Sequence, residues 1–184
     1  MIPEVRTARL LLRGWTDADR APYAALNADP RVREFLGPLL TPEEASAQLD
    51  RIVAHWEAHG FGLWCVDLDG TCIGFTGLSS PGFMPGVEVG WRLAAAHWGQ
   101  GYATEAARAA LSFGFGHAGL DEIVSLTAVQ NVRSRRVMEK LGMTRDPHDD
   151  FDHPYAPPEL RRHVLYRLSY DAWFADDERE SWRR

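Results

Sequence analysis

The sequence predicts one α/β domain in which a mixed, mostly antiparallel central sheet is flanked by helices. Three observations carry that expectation. The chain has 184 residues, 45% hydrophobic and 11% aromatic, which suits one sizeable core and is short for two. From Phe61 to Leu93 it reads as three strands in succession, and from there to Ser169 helices and strands alternate.

The elements follow in order. "RLLLRGW", residues 9–15, is a first strand, and Thr16 then caps a helical pattern that runs to about Asn27. A second helix opens at "TPEEASAQL", where Thr41 caps, Pro42 takes the first turn and Glu44 stands three residues on; it passes Trp56 and stops near Gly60. "FGLWCVDLDGTCIGFTGLS" is a hairpin turning at Asp69-Gly70, and "VEVGWRL" is the third strand. "YATEAARAALSFGFGHAG" has helical spacing of Ala, Leu and Phe; "EIVSLTAV" suits a buried strand, and "NVRSRRVMEKLG" a helix with a glycine stop. A strand, a Pro-rich acidic loop and a last strand ending near Ser169 complete a core of about 7–169 within a single domain spanning 1–184. The tail from about 175 to 184 reads as frayed and solvated.

Twenty basic against 26 acidic residues give a net charge of −6, so there is no general attraction to nucleic acid or to an anionic membrane. No apolar run approaches the roughly 18 residues of a membrane span, and "MIPEVRTARLLLRGW" lacks an h-region, so a cytoplasmic location is expected. Cys65 and Cys72 flank the hairpin turn. A two-residue turn would set Asp67 against Cys72 and Cys65 against Gly74, leaving the thiols diagonal on one face, too wide for a relaxed disulfide; both are expected as reduced core residues.

"HWGQGYATEA", residues 97–106, is the stretch that carries chemistry. A strand feeding a glycine turn and a helix sets several unpaired backbone N–H groups at a helix N-terminus, where phosphate binds well. Gly99 and Gly101 permit positive φ, and Ala103 is small. The stretch has no Walker Lys-Ser or Lys-Thr, and Thr104 stands where a dinucleotide fingerprint needs glycine. It resembles the pyrophosphate loop, Gln/Arg-x-x-Gly-x-Gly/Ala, of the GCN5-related N-acetyltransferase (GNAT) superfamily, with Trp98, Gly99, Gln100, Gly101, Tyr102 and Ala103 in the motif positions and Trp98 departing from its usual first residue. The form is similar to that of the RimJ/RimL-like branch. "ARLLLRGWTDAD", "VEVGWRL" and "NVRSRRVMEKLGM" resemble that branch's first strand, fourth strand and Asn-x-x-Ser helix, in the family's order.

The resemblance implies a GNAT-like domain with acetyl-CoA as cosubstrate, no metal, and direct transfer of the acetyl group to a primary amine. Such a reaction needs a neutral amine, a stabilised oxyanion and a proton for the leaving thiolate. By carry-over, backbone groups of Trp91, Arg92 and Leu93 meet the pantetheine arm, Asn131 lies near it, and the loop through Thr104 holds the pyrophosphate. Arg133, Arg135 and Arg136 add charge beside this site; Arg136 is the candidate for a CoA phosphate. Glu88 alternates with Gly90 and Arg92 on one strand face, so it is either the base for the ammonium or the partner of Arg92 or of a neighbouring strand. Ser134 stands at the branch's position near the CoA sulfur and Met138 where other members place a tyrosine. That makes Ser134 the candidate acid, against an ordinary first-turn serine.

"DPHDDFDHPY" matches no zinc or calcium spacing, and no metal is expected there. In the family this segment borders the acceptor pocket, so an acidic loop would attract a cationic amine or basic peptide, with Phe35 and Trp56 forming the rest of the acceptor side; a plain solvated loop is the alternative. Partners are an amine acceptor, either a protein N-terminus or a small molecule, and optionally a second copy in a homodimer. A transferase for another acyl-CoA and a non-catalytic acyl-CoA-binding module are the competing readings.

Overall fold

A computed structural model describes residues 2–181, with side chains to residue 175. β1 (Val5–Arg6) and β2 (Leu11–Arg13) pair at one edge of the sheet. Thr16 and Asp19 form a capping box around a single 3-10 turn, which leads into α1 (Arg20–Ala28). A one-turn helix, α2 (Pro30–Arg33), follows. In α3 (Pro42–His59) the Glu44 N–H donates to Thr41 Oγ1 (3.2 Å) and the Thr41 N–H to Glu44 Oε2 (2.8 Å), the reciprocal cap its sequence predicts.

The hairpin of β3 (Leu63–Leu68) and β4 (Thr71–Ser79) turns on Asp69 at φ +51° and Gly70 at φ +83°. After β5 (Glu88–Leu93) come α4 (Tyr102–Gly116), β6 (Glu122–Ala128) and α5 (Val132–Lys140). The last described elements are β7 (Thr144–Arg145), β8 (Phe151–Asp152), β9 (Arg162–Ser169) and α6 (Tyr170–Ser181). The strands run in the order β1-β2-β3-β4-β5-β6-β9-β7, with β8 also on β9, and every pairing is antiparallel except β5 with β6.

Helices cover both faces. Ala106, Ala107, Ala110, Leu111 and Phe115 of α4 pack on Val89, Leu93 and Ile123, forming the larger core; small alanines let this helix lie close to the strands. On the other face Tyr23, Leu26, Val32, Ala45 and Leu49 from the first three helices close over Phe75.

Two expectations change here. The C-terminal segment expected to fray from about 175 belongs to α6, which starts at Tyr170 and lays Trp173 and Phe174 on the main core; residues 182–184 lie outside the described residues. In the hairpin, the register breaks at a bulge between Val66 and Asp67, so Cys72 does oppose Asp67 but Cys65 opposes Phe75 instead of Gly74. The extra residue brings the thiols closer than a regular diagonal: one ligand atom each of Cys65, Cys72 and Asp19 lies within 4.8 Å of the others. Both cysteines are free thiols, and the Cys72 hydrogen bond together with burial pushes the Cys65 thiol pKa up. Both Asp19 oxygens are taken by the Arg13 guanidinium, at 2.7 and 2.9 Å.

Candidate active site

The sheet has a gap at its centre. β5 and β6 share a single register pair, Glu88 with Val124, after which they part. Backbone groups along a strand alternate in direction, and the Val87 and Val89 carbonyls accept from the β6 side, from the Val124 N–H (2.9 Å) and Ser125 Oγ (2.9 Å). The same alternation aims the Trp91 N–H and carbonyl into the gap. Opposite parity points to β4: the Ala94 N–H donates to the Ile73 carbonyl at 2.9 Å, and the Gly90 carbonyl accepts from Thr76 Oγ1 at 3.0 Å.

This separates the three expected pantetheine contacts. Arg92 turns its carbonyl toward Gly74 of β4, so only its side chain is available to the cleft. Leu93 faces the gap with its N–H, while its carbonyl is held by the Trp98 indole N–H at 2.8 Å.

A cleft of about 590 Å³ runs through the gap from the first three helices to the start of α4. Gly99 (φ +76°) and Gly101 (φ +81°) both adopt the left-handed conformation at the turn, with Gly101 as the N-cap. Arg9 braces the turn from β2's approach: it donates to the Gln100 carbonyl (2.9 Å), pairs with Glu105 in the first turn of α4 (2.6 Å) and lies over the Tyr102 ring. Trp98, Gly99, Gly101, Tyr102, Ala103 and Thr104 line the cleft; Gln100 does not, and its role is the carbonyl that Arg9 holds.

On the far wall Asn131 caps α5, accepting from the Ser134 N–H at 3.2 Å and donating to Thr127 Oγ1 at 3.0 Å. Ser134 and Arg136 line the cleft beside it, as do Val137 and Lys140, one and two further helical turns along from the cap. Neither Arg136 nor Lys140 forms an ion pair among the described residues, which leaves both charges open to an anion at this end.

Glu88 sits on the cleft floor and makes no ion pair with Arg92 or with any other described cation. Burial pushes its carboxyl up to about 7, against a hydrogen bond from the Leu126 backbone that favours the ionised form. Gly90, next on the same face, leaves open space where a side chain would stand. Beyond it the Arg92 guanidinium donates to Asn27 Oδ1 and lies 5.0 Å from the Phe75 ring centroid, and burial lowers its pKa to about 10.

The wall nearest α1–α3 consists of Tyr23, Phe35, Gln48, Ile52, Leu63 and Phe75. Phe35 stands where expected. Trp56 does not: it is buried against Trp64 and Phe113. Tyr23 and Gln48, joined at 2.7 Å, carry no sequence signal beyond that of helix residues, because α1 and α3 bring them together only in the fold.

The acidic loop is not part of this wall. Asp149 pairs with Arg167 (2.9 Å), Asp152 with Arg162 (3.4 Å), and Asp150 with Arg145, and none of residues 146–158 lines the cleft. Its carboxylates answer arginines of the last strands, so the expected attraction of a cationic acceptor does not arise from it. His163 is buried with its Nδ1 on the Arg161 carbonyl (3.1 Å).

Residues 9–144 match the acetyltransferase (GNAT) domain family. The chain is 34% identical to a crystallised acetyltransferase from Agrobacterium tumefaciens, covering 91% of this chain and 95% of that one with a TM-score of 0.78. It is 28% identical to the FsC-acetyl coenzyme A-N(2)-transacetylase of Aspergillus fumigatus, over 93% of this chain and 78% of the relative. The ribosomal L7/L12 acetyltransferase RimL, solved with coenzyme A, has the same fold at 14% identity, with 92% and 99% coverage and a TM-score of 0.78. With a splayed parallel strand pair, a glycine turn at a helix mouth and a family match across three quarters of its length, the chain belongs to the GNAT family of N-acetyltransferases.

Proposed function

We propose that the protein transfers an acetyl group from acetyl-CoA to a primary amine by direct attack, with Glu88 as base, the Trp91 N–H as oxyanion donor and Ser134 as the acid for the leaving sulfur. The observation that carries this reading is the continuity of one cleft from the Glu88 carboxyl, past the Trp91 backbone, to the glycine turn of α4. The name of the Aspergillus relative, an acetyl coenzyme A transacetylase, supports acetyl-CoA as the donor here.

At the α4 end, the first-turn N–H groups and the open charges of Arg136 and Lys140 suit a pyrophosphate. Pantetheine then lies along the gap in place of the missing β5–β6 ladder, which brings the thioester carbonyl to the Trp91 N–H. Glu88, with its carboxyl held near 7, takes a proton from the ammonium directly or through water. The free amine attacks, the N–C bond forms, and the C–S bond breaks. Of the three ammonium protons one stays on the amide nitrogen, one leaves through Glu88, and one balances the proton that Ser134 passes to the sulfur.

The test is release of free CoA thiol from acetyl-CoA by the purified protein, with peptide N-termini in one pool and small amines in another. Release with either pool is the expected result and identifies the acceptor class. Tight acetyl-CoA binding with release in neither pool would favour the acyl-CoA-binding module; release only with a longer acyl-CoA would move the donor assignment.

A further inference from the structure

The cleft is lopsided in charge. Among the described residues five cations line it, Arg31, Arg92, Arg133, Arg136 and Lys140, against one carboxylate, Glu88. Arg31 and Arg133 are neutralised by Asp29 (2.7 Å) and Glu34 (2.8 Å), while Arg136 and Lys140 lie at the phosphate end. That leaves Arg92 at the acceptor end. Its guanidinium is buried against Phe75, reaches Asn27 with one nitrogen, leaves its Nε without a partner, and has no carboxylate within ion-pair distance among the described residues. The neighbouring Arg33 likewise donates to the Pro38 and Leu36 carbonyls (2.9 and 3.3 Å) and forms no ion pair among the described residues, so it brings no bound carboxylate to Arg92.

A buried cation without a counter-ion is costly, and it persists where a ligand supplies the missing charge. We propose that Arg92 receives a carboxylate of the acceptor, so that the amine acetylated by this protein carries an anionic group of its own. This rests on the transferase reading above. Gly90 supports it: the open space over this residue connects Glu88 to Arg92 along one face of β5, giving a molecule room to reach both. Four residues of extended strand put the Cα atoms of 88 and 92 roughly 13 Å apart. Amine and carboxylate are therefore separated by several bonds, as in an ω-amino acid or a short peptide, rather than attached to one carbon. A planar guanidinium suits such a group because it offers two parallel N–H donors to a carboxylate.

Matched acceptors test this on the unmodified protein: 4-aminobutyrate, 6-aminohexanoate and glycyl dipeptides, each against its C-terminal amide, with CoA thiol release as readout. The acids are expected to exceed their amides at least tenfold in kcat/KM, and Arg92→Met is expected to erase that ratio through the acceptor's KM while the KM for acetyl-CoA holds. Equal rates for acid and amide, or faster amides, overturn the proposal. If no acceptor releases thiol, the transferase reading is what has failed, and calorimetry of the CoA-loaded protein decides the anion site: saturable uptake of the acids but not the amides sustains it, and uptake of neither refutes it. A separate arm compares succinyl-CoA with acetyl-CoA. Tighter binding of the succinyl form that Arg92→Met abolishes would place the carboxylate on the acyl group and overturn the acceptor assignment.

Discussion

At the scale of single residues, Glu88 and Ser134 differ in how much the fold does to them. Burial raises the Glu88 carboxyl to about 7, so the fraction able to accept a proton grows as pH rises through that value. The rate with a non-titrating concentration of free amine should therefore climb across pH 6–8, and Glu88→Gln should flatten that limb while lowering kcat about 10²- to 10⁴-fold. A retained limb in Glu88→Gln would assign it to another group. Ser134 has its backbone N–H on the Asn131 cap and its side chain on the cleft wall. A thiolate leaves with little help, since a free thiol titrates near 8.5, so Ser134→Ala should cost only about tenfold in kcat with the KM for acetyl-CoA unchanged. That both face the cleft was legible in the sequence, for Glu88 through strand alternation and for Ser134 through the resemblance of its helix to the family's Asn-x-x-Ser pattern. Tyr23 and Gln48 were not, since nothing in their own helices distinguishes a residue facing a cleft from one facing a core.

Among the elements, the glycine turn before α4 has a geometry that its sequence specifies. Left-handed φ at Gly101 costs a residue with a Cβ about 1–2 kcal/mol, and a Cβ there would also stand 3.4 Å from Arg9 Nη2. Gly101→Ala should therefore loosen the phosphate end specifically, raising the KM for acetyl-CoA about 5- to 30-fold with a much smaller change in the KM for the acceptor. Steady-state kinetics with each substrate varied in turn checks this. The β3–β4 hairpin was partly legible: Asp69-Gly70 announces the turn, but the bulge that leaves Ile73 unpaired is marked only by Gly74 (φ +148°), a glycine that reads as an ordinary strand residue, and it alters which residue faces Cys65. The acidic loop misleads for the opposite reason. Its run of aspartates is conspicuous, whereas of the arginines that neutralise it only Arg145 is close in sequence, and Arg162 and Arg167 reach it from β9 through the strand pairing.

For the molecule as a whole, β1–β5 and β6–β9 are two sheets' worth of strands joined by one register pair and by α4, which packs across both. A ligand lying in the gap adds contacts to both sides and stabilises the native state by linkage. At acetyl-CoA one hundred times its Kd the gain is about 2.7 kcal/mol, or roughly 5–11 °C in Tm for a chain of this size. Thermal melts with and without acetyl-CoA measure it, and an unchanged Tm would count against a cleft that spans the two halves. The fold class was readable because strand runs and helix caps recur at short range. The charge balance of the cleft was not, because Arg92, Asn27 and Glu88 come from distant stretches and their unequal pairing is a property of the assembled site.

The parting of β5 from β6 also has a signature in isotope exchange. A backbone N–H in the middle of a nine-stranded sheet is ordinarily among the slowest in a protein to exchange with deuterated solvent, because release needs global opening. Trp91 is centrally placed but turned toward the gap, so its amide should exchange like one in a loop while that of Arg92, one residue along and facing β4, stays protected. Filling the gap with CoA should bring the two rates together.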